Sequence, residues 1–262
     1  MQWKRIKVGV LTFCLVLLLA FMFSKSGRFY EVFYLKFLFQ FIRVIHDYTF
    51  GVLPVPSIYI VVPAFFYYFL GGTFRKGVKS VFNGLLLAVI WIINWFYILW
   101  GFNYAQGSGY ELFDLEPVKV DSTYIESEFL AQTDIINHTV TTKDIFPFQS
   151  NEAEIRPLMK AFISEKGFPT HGRVRIRKIP GGGLLHFRTS GIYIPHAFEG
   201  HVDGGLFKLQ YPFTIAHEMA HGYSFTDESV CNYIAYKVCT SSDNPWIRYS
   251  AELAYWRYLS GY

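Results

Sequence analysis

The sequence is short of charge, and the charge it has is unevenly spread. Asp, Glu, Lys and Arg make up 17% of its 262 residues. Residues 1–106 hold ten basic residues and only two acids, Glu31 and Asp47. Residues 107–262 hold fourteen basic and eighteen acidic residues. This mildly acidic second part lacks the concentrated Lys and Arg of a phosphate-binding face, which argues against nucleic acid as a partner. Cysteine is scarce: Cys14, Cys231 and Cys239 are too few for a disulfide framework. Cys231 and Cys239 lie two turns apart on one expected helix and cannot bridge without unwinding it. All three are expected as small buried residues. There is no internal repeat. Pro180-Gly181-Gly182-Gly183 lacks the following Lys-Ser/Thr of a phosphate loop and reads as a turn.

Apolar and aromatic residues are in excess, with 27 Phe, 19 Tyr and 6 Trp, and the apolar runs crowd the front of the chain. Val8–Phe23 follows Lys4, Arg5 and Lys7 with no small-x-small cleavage site, so it is expected to be an uncleaved anchor. Further runs cover 53–70 and 81–100, the last rich in Trp and Tyr at its far end. Three spans are therefore expected, about 8–23, 53–70 and 81–100. Both the N-terminus and the loop Gly71–Ser80, with Arg75, Lys76 and Lys79, are basic, so both are expected in the cytoplasm. The third span then exports the rest. Between the first two spans, Lys36, Gln40, Arg43 and Asp47 form one polar stripe at helical spacing. Residues 29–48 are expected to form an amphipathic helix on the outer membrane surface. The lipid bilayer is thus an expected partner of residues 1–106, and residues 107–262 form a separate exported domain.

In that domain, Asp121–Val140 and Asn151–Lys166 are predicted helices, the second with Ile155, Leu158, Met159, Phe162 and Ile163 on one face. Arg173–Ile179, Leu184–Phe187 and Gly191–Pro195 are predicted strands. Asn137-His138-Thr139 matches a glycosylation acceptor, a short match common by chance.

The chemistry concentrates in Thr214-Ile215-Ala216-His217-Glu218-Met219-Ala220-His221, predicted as a helix starting after Pro212. Histidines at i and i+4 share a helical face, so both imidazoles can reach one zinc ion. Glu218 beside them can hold and deprotonate a water, the role of a catalytic base. The bland alternative is two core histidines on an ordinary helix. It is weakened by the small apolar flanks and by a third ligand candidate nearby.

After Gly222-Tyr223-Ser224-Phe225 breaks the helix, a second helix is expected with Thr226 as its cap and Asp227 and Glu228 in its first turn. Glu228 and Asn232 are one turn apart, the arrangement of glutamate zincins. There Glu ligates zinc and the residue one turn on orients a ligand histidine. Asp227, ten residues after His217, is the alternative metal ligand. The pattern that uses that position needs Gly where Ser224 stands, so Asp227 ranks second.

His217-Glu218-Met219-Ala220-His221, Glu228 and Asn232-Tyr233-Ile234-Ala235-Tyr236 resemble an uncharacterised bacterial family of membrane-anchored HExxH proteins related to zinc metallopeptidases. Gly191-Ile192-Tyr193-Ile194-Pro195, Pro212-Phe213 and Arg248-Tyr249-Ser250 add to the resemblance. It implies an α-helical membrane anchor of three spans followed by an α+β zincin-like metallopeptidase domain. Members are expected to continue with further helices beyond the point where this sequence stops, at Tyr262. The implied function is zinc-dependent (Zn2+) hydrolysis of a peptide or protein substrate on the periplasmic side of the bacterial cytoplasmic membrane. The alternative is a membrane protein whose zinc is structural or sensory. Tyr223, His196, His201 and Tyr249 are the candidates for an oxyanion donor.

Overall fold

The computed structural model describes residues 2–118, 120–139 and 148–261. It divides into two compact units. The first comprises residues 1–106, 171–173 and 194–199. The second comprises 107–170, 174–193 and 200–262.

The first unit is helical. Helix α1 is Gln2–Lys25. A continuous helical stretch follows: α2 (Gly27–Phe29), a π-helical run Tyr30–Leu38, and α3 (Phe39–Tyr48). Then come α4 (Ile58–Leu70) and α5 (Val78–Leu99). Three segments, Lys4–Lys25, Ile58–Lys76 and Val78–Leu99, are long and apolar enough to cross a membrane. α4 proper has 13 residues, about 20 Å at 1.5 Å per residue, so it needs the turn through Lys76 to approach a core of about 30 Å. Leu11, Leu15, Leu18 and Phe21 on α1 are exposed, as a lipid-facing surface requires. Cys14 is exposed among them, contrary to the expected burial. A membrane-facing helix need not hide its small residues. α1 and α5 approach closely at Gly9, and Asn94 Nδ2 donates to the Gly9 carbonyl at 3.1 Å. In an apolar surround such a bond satisfies groups that have no water to turn to.

Most of the polar stripe of residues 29–48 faces inward, but Lys36 is exposed and pairs with Glu31. Gln40, Arg43, His46 and Asp47 are buried, while Phe37, Phe41, Ile45 and Tyr48 are exposed. Arg43 lies over the rings of Phe39 and Phe198, 5.0 and 5.5 Å from their centroids, and 3.9 Å from Asp47. Asp47 Oδ2 in turn accepts from the Arg173 backbone N–H at 2.6 Å. The helix is amphipathic with its apolar face outward. That is the polarity expected when the surroundings are less polar than the protein interior.

The second unit is α+β. Helices α6 (Gly109–Phe113), α7 (Ser122–Thr139) and α8 (Phe148–Glu165) precede a sheet of β1 (Arg175–Ile179), β2 (Gly191–Ile194) and β3 (Glu199–Asp203). Val140, the expected end of α7, lies outside the described residues. The strand order is β1-β3-β2, so β2 is an edge. Leu184–Phe187, expected as a strand, is a turn and a short 3-10 helix, Leu185–Phe187. Asp203 dictates this: its carboxylate accepts from the backbone N–H groups of Gly182, Leu184, Leu185 and Gly205, curling the chain around it. Burial alone would raise the pKa of Asp203, and these four donors outweigh it and pull it down to about 2.

Three helices complete the unit: α9 (Tyr211–Gly222), α10 (Glu228–Thr240) and α11 (Pro245–Leu259). Ile155, Met159 and Ile163 of α8 pack with Ile215, Met219, Ile234 and Val238 of α9 and α10 in one buried core. This is the periodic face the α8 sequence displays, and Leu158 and Phe162 flank it half-buried. Cys231 and Cys239 lie in the same core, reduced and two turns apart.

Candidate metal centre

α9 begins at Tyr211, with Pro212 in its first turn, where the missing N–H costs nothing. The next exposed donor, the Phe213 N–H, is met by Ser250 Oγ of α11 at 3.0 Å. The helix carries ten buried residues in all, among them Glu218 and His221. α10 is capped by Asp227, not Thr226: Asp227 Oδ1 accepts from the Val230 N–H at 3.0 Å. Capping by Asp227 makes Glu228 the first helical residue, so its carboxylate sits at the positive end of the α10 dipole.

The two helices bring His217, His221 and Glu228 together. Their ligand atoms all lie within 4.8 Å of one another. His217 Nε2 is 3.2 Å from His221 Nε2 and 3.0 Å from Glu228 Oε2, and His221 Nε2 is 3.4 Å from Glu228 Oε1. Each ring is fixed from behind. His217 Nδ1–H donates to Asn232 Oδ1 at 2.8 Å, and His221 Nδ1–H donates to the Phe225 carbonyl at 2.9 Å. With the protons on Nδ1, both Nε2 lone pairs point at the same place, beside a carboxylate. Three acceptors in that space need a cation among them, either a proton or a metal ion. Neutral imidazoles and one carboxylate are a borderline-soft donor set that suits zinc.

The electrostatics follow from burial and proximity. Burial opposes charge on His217, but the Glu228 and Glu218 carboxylates hold its pKa above the usual imidazole value. Burial, and then the neighbouring His217, push His221 down. The hydrogen bond from His217 lowers Glu228, which stays largely open to solvent. Burial drives Glu218 up to about 8, against the pull of His217.

Glu218 is nearly enclosed. Its Oε2 is buried and has no hydrogen-bond partner among the described residues. Two strands press on it through glycines: a Cβ on Gly191 would stand 2.6 Å from Glu218 Oε1, and one on Gly200 would stand 2.9 Å from Glu218 Cβ. A Cβ at Gly191 must displace the carboxylate, and one at Gly200 must displace Ile176 Cδ1 or the Glu218 Cβ.

A cleft of about 450 Å³ opens on this cluster. Ser190 and Gly191 border it at the start of β2, and Leu253, Arg257 and Tyr258 border it from α11. The α11 residues are a wall that sequence reasoning missed. The helix has almost no amphipathic signal, because its two long sides both meet protein. None of the expected oxyanion donors borders the cleft. Tyr223 and His201 are buried, His196 Nε2 pairs with the Ile92 carbonyl at 3.0 Å, and Tyr249 lies against the Trp246 ring.

Among the described residues, His217, His221 and Glu228 form the one His, Cys, Asp or Glu group compact enough to hold a metal ion. Asp227 is engaged as the α10 cap, and Asn232 backs His217. Fold and site together define a mostly helical protein with three helices fit to cross a membrane and an α+β unit that bears a His/His/Glu cluster. Residues 34–261 match the family described as protein of unknown function (DUF3810), and the chain belongs to that family. No curated protein and no solved structure matches it.

Proposed function

We propose that the protein is a membrane-anchored, zinc-dependent metallopeptidase whose α+β unit is zincin-like. The observation that carries this reading is the convergence of two oriented Nε2 atoms and the Glu228 carboxylate beside the buried, unpartnered Oε2 of Glu218. His217, His221 and Glu228 would hold zinc. A structural zinc site is closed by four protein ligands, and a catalytic one keeps a position open. Three ligands, an exposed Glu228 and a cleft favour the catalytic kind over a structural or sensory zinc.

When bound, zinc supplies Lewis acidity toward a carbonyl and lowers the pKa of water. The chain's own residues then handle the proton. Glu218 takes it from the attacking water as the water oxygen bonds to the carbonyl carbon. Glu218 returns it to the amine nitrogen as the C–N bond breaks. Asn232 and the Phe225 carbonyl keep the rings in the tautomer that leaves Nε2 free. The edge of β2, with Gly191 against Glu218, offers backbone groups to an extended peptide lying across the cleft.

Replacing Glu218 by Gln tests this directly. The variant is expected to keep zinc and lose peptide hydrolysis. Full hydrolysis in Glu218→Gln contradicts the scheme. The basic loop Gly71–Ser80 supports a catalytic unit outside the cytoplasm. A periplasm-active reporter fused after Tyr110 is then expected to be active, and a silent fusion reverses the orientation.

A further inference from the structure

The first unit contains a second, larger cavity, of about 970 Å³, bounded by α1, α3, α4 and α5. Its walls are helical stripes at i, i+3 and i, i+4 spacing. Trp91, Trp95 and Leu99 line it from α5, and Phe65 and Tyr68 line it from α4. Tyr68 is 60% exposed and Trp95 39% exposed. The space is an open groove whose lining is almost wholly apolar, and apolar surface is poorly hydrated. The space therefore suits an apolar occupant.

The two ends of the cavity differ. At one end stand Lys4 and Arg5 of α1, with the Arg5 guanidinium 5.1 Å from the centroid of the Tyr68 ring. Among the described residues, no Asp or Glu borders the cavity. The α5 wall runs from Leu87 to Leu99, about 18 Å at 1.5 Å per residue, the scale of an extended acyl chain.

We propose that this cavity is a binding site for an anionic phospholipid, with its phosphate at Lys4 and Arg5 and an acyl chain along Trp91 and Trp95. The proposal rests on the membrane reading of the first unit and is independent of the metal centre. A polar, cationic mouth over an aromatic-lined apolar slot matches one amphipathic anion. A second copy of the chain would bring a helix, and the cationic end would then lack its counter-charge.

The test uses the whole chain, purified in mild detergent and titrated with phosphatidylglycerol or phosphatidylcholine, with retained lipid read by native mass spectrometry. Two cations near a membrane surface, at roughly fivefold each, predict a preference for phosphatidylglycerol on the order of twentyfold. Lys4→Gln with Arg5→Gln is expected to erase that preference. Ala64→Trp, which fills the slot from α4, is expected to lower retention of both lipids while the thermal midpoint holds. Equal retention of the two lipids by the wild-type protein overturns the proposal. So does unchanged retention in Ala64→Trp, or a lipid-free dimer.

Discussion

Asn232 Oδ1 lies 2.8 Å from His217 Nδ1, one helical turn beyond Glu228. Helix α10 thus contributes twice to one ring: a carboxylate near Nε2 and an amide behind Nδ1. Removing the amide in Asn232→Ala leaves His217 free to rotate and to change tautomer. Zinc affinity is expected to fall roughly 10–100-fold, as for other groups that orient a metal-bound histidine. Competition with a chromophoric chelator measures it, and an unchanged affinity removes Asn232 from the site.

Asp227 and Glu228 are neighbours with different work. Asp227→Ala deletes the α10 cap and is expected to cost about 1 kcal/mol of stability. Zinc stoichiometry is expected to stay as in the wild type. A loss of zinc with no loss of stability assigns Asp227 to the metal instead.

Gly191→Ala places a methyl group against the Glu218 carboxylate. Hydrolysis is expected to drop at least about tenfold, since misplacing a catalytic group by an ångström is costly. Zinc content is expected to hold, because the ligands lie on other elements. Wild-type turnover in this variant contradicts the enclosed position of Glu218.

Asp203 sets an acid limit. Its pKa falls from 3.8 to about 2 on folding, so its stabilisation is complete above about pH 4 and is lost as pH falls through about 2. Thermal midpoints of wild type and Asp203→Asn are expected to differ most near neutral pH and to converge toward pH 2. A gap that stays constant over that range removes the carboxylate's charge from the account.

Much of this was legible in the sequence, for physical reasons that differ by element. The i, i+4 histidines and the Glu228–Asn232 pair are local patterns on helices, where spacing fixes direction. The face of α8 was legible for the same reason. Strand β3 was not. Glu199-Gly200-His201-Val202-Asp203 is buried throughout and alternates polar with apolar for no solvent face. Glu199, for example, accepts from the Ser57 N–H at 2.8 Å and from Ser57 Oγ at 3.0 Å. The stripe of Gln40, Arg43 and Asp47 announced an amphipathic helix but not which side would be buried, since periodicity has no sign. The contacts of Gly191, Gly200 and Ser250 join residues far apart in the chain, and no local pattern records them.

The zinc content of the purified chain, wild type beside Glu228→Ala, bears most directly on the metal centre. The account predicts about one zinc per wild-type chain, held through dialysis, and its loss in Glu228→Ala at unchanged thermal midpoint before metal loading. A wild-type chain that takes up no zinc, or a Glu228→Ala chain that binds it as tightly as the wild type, contradicts it.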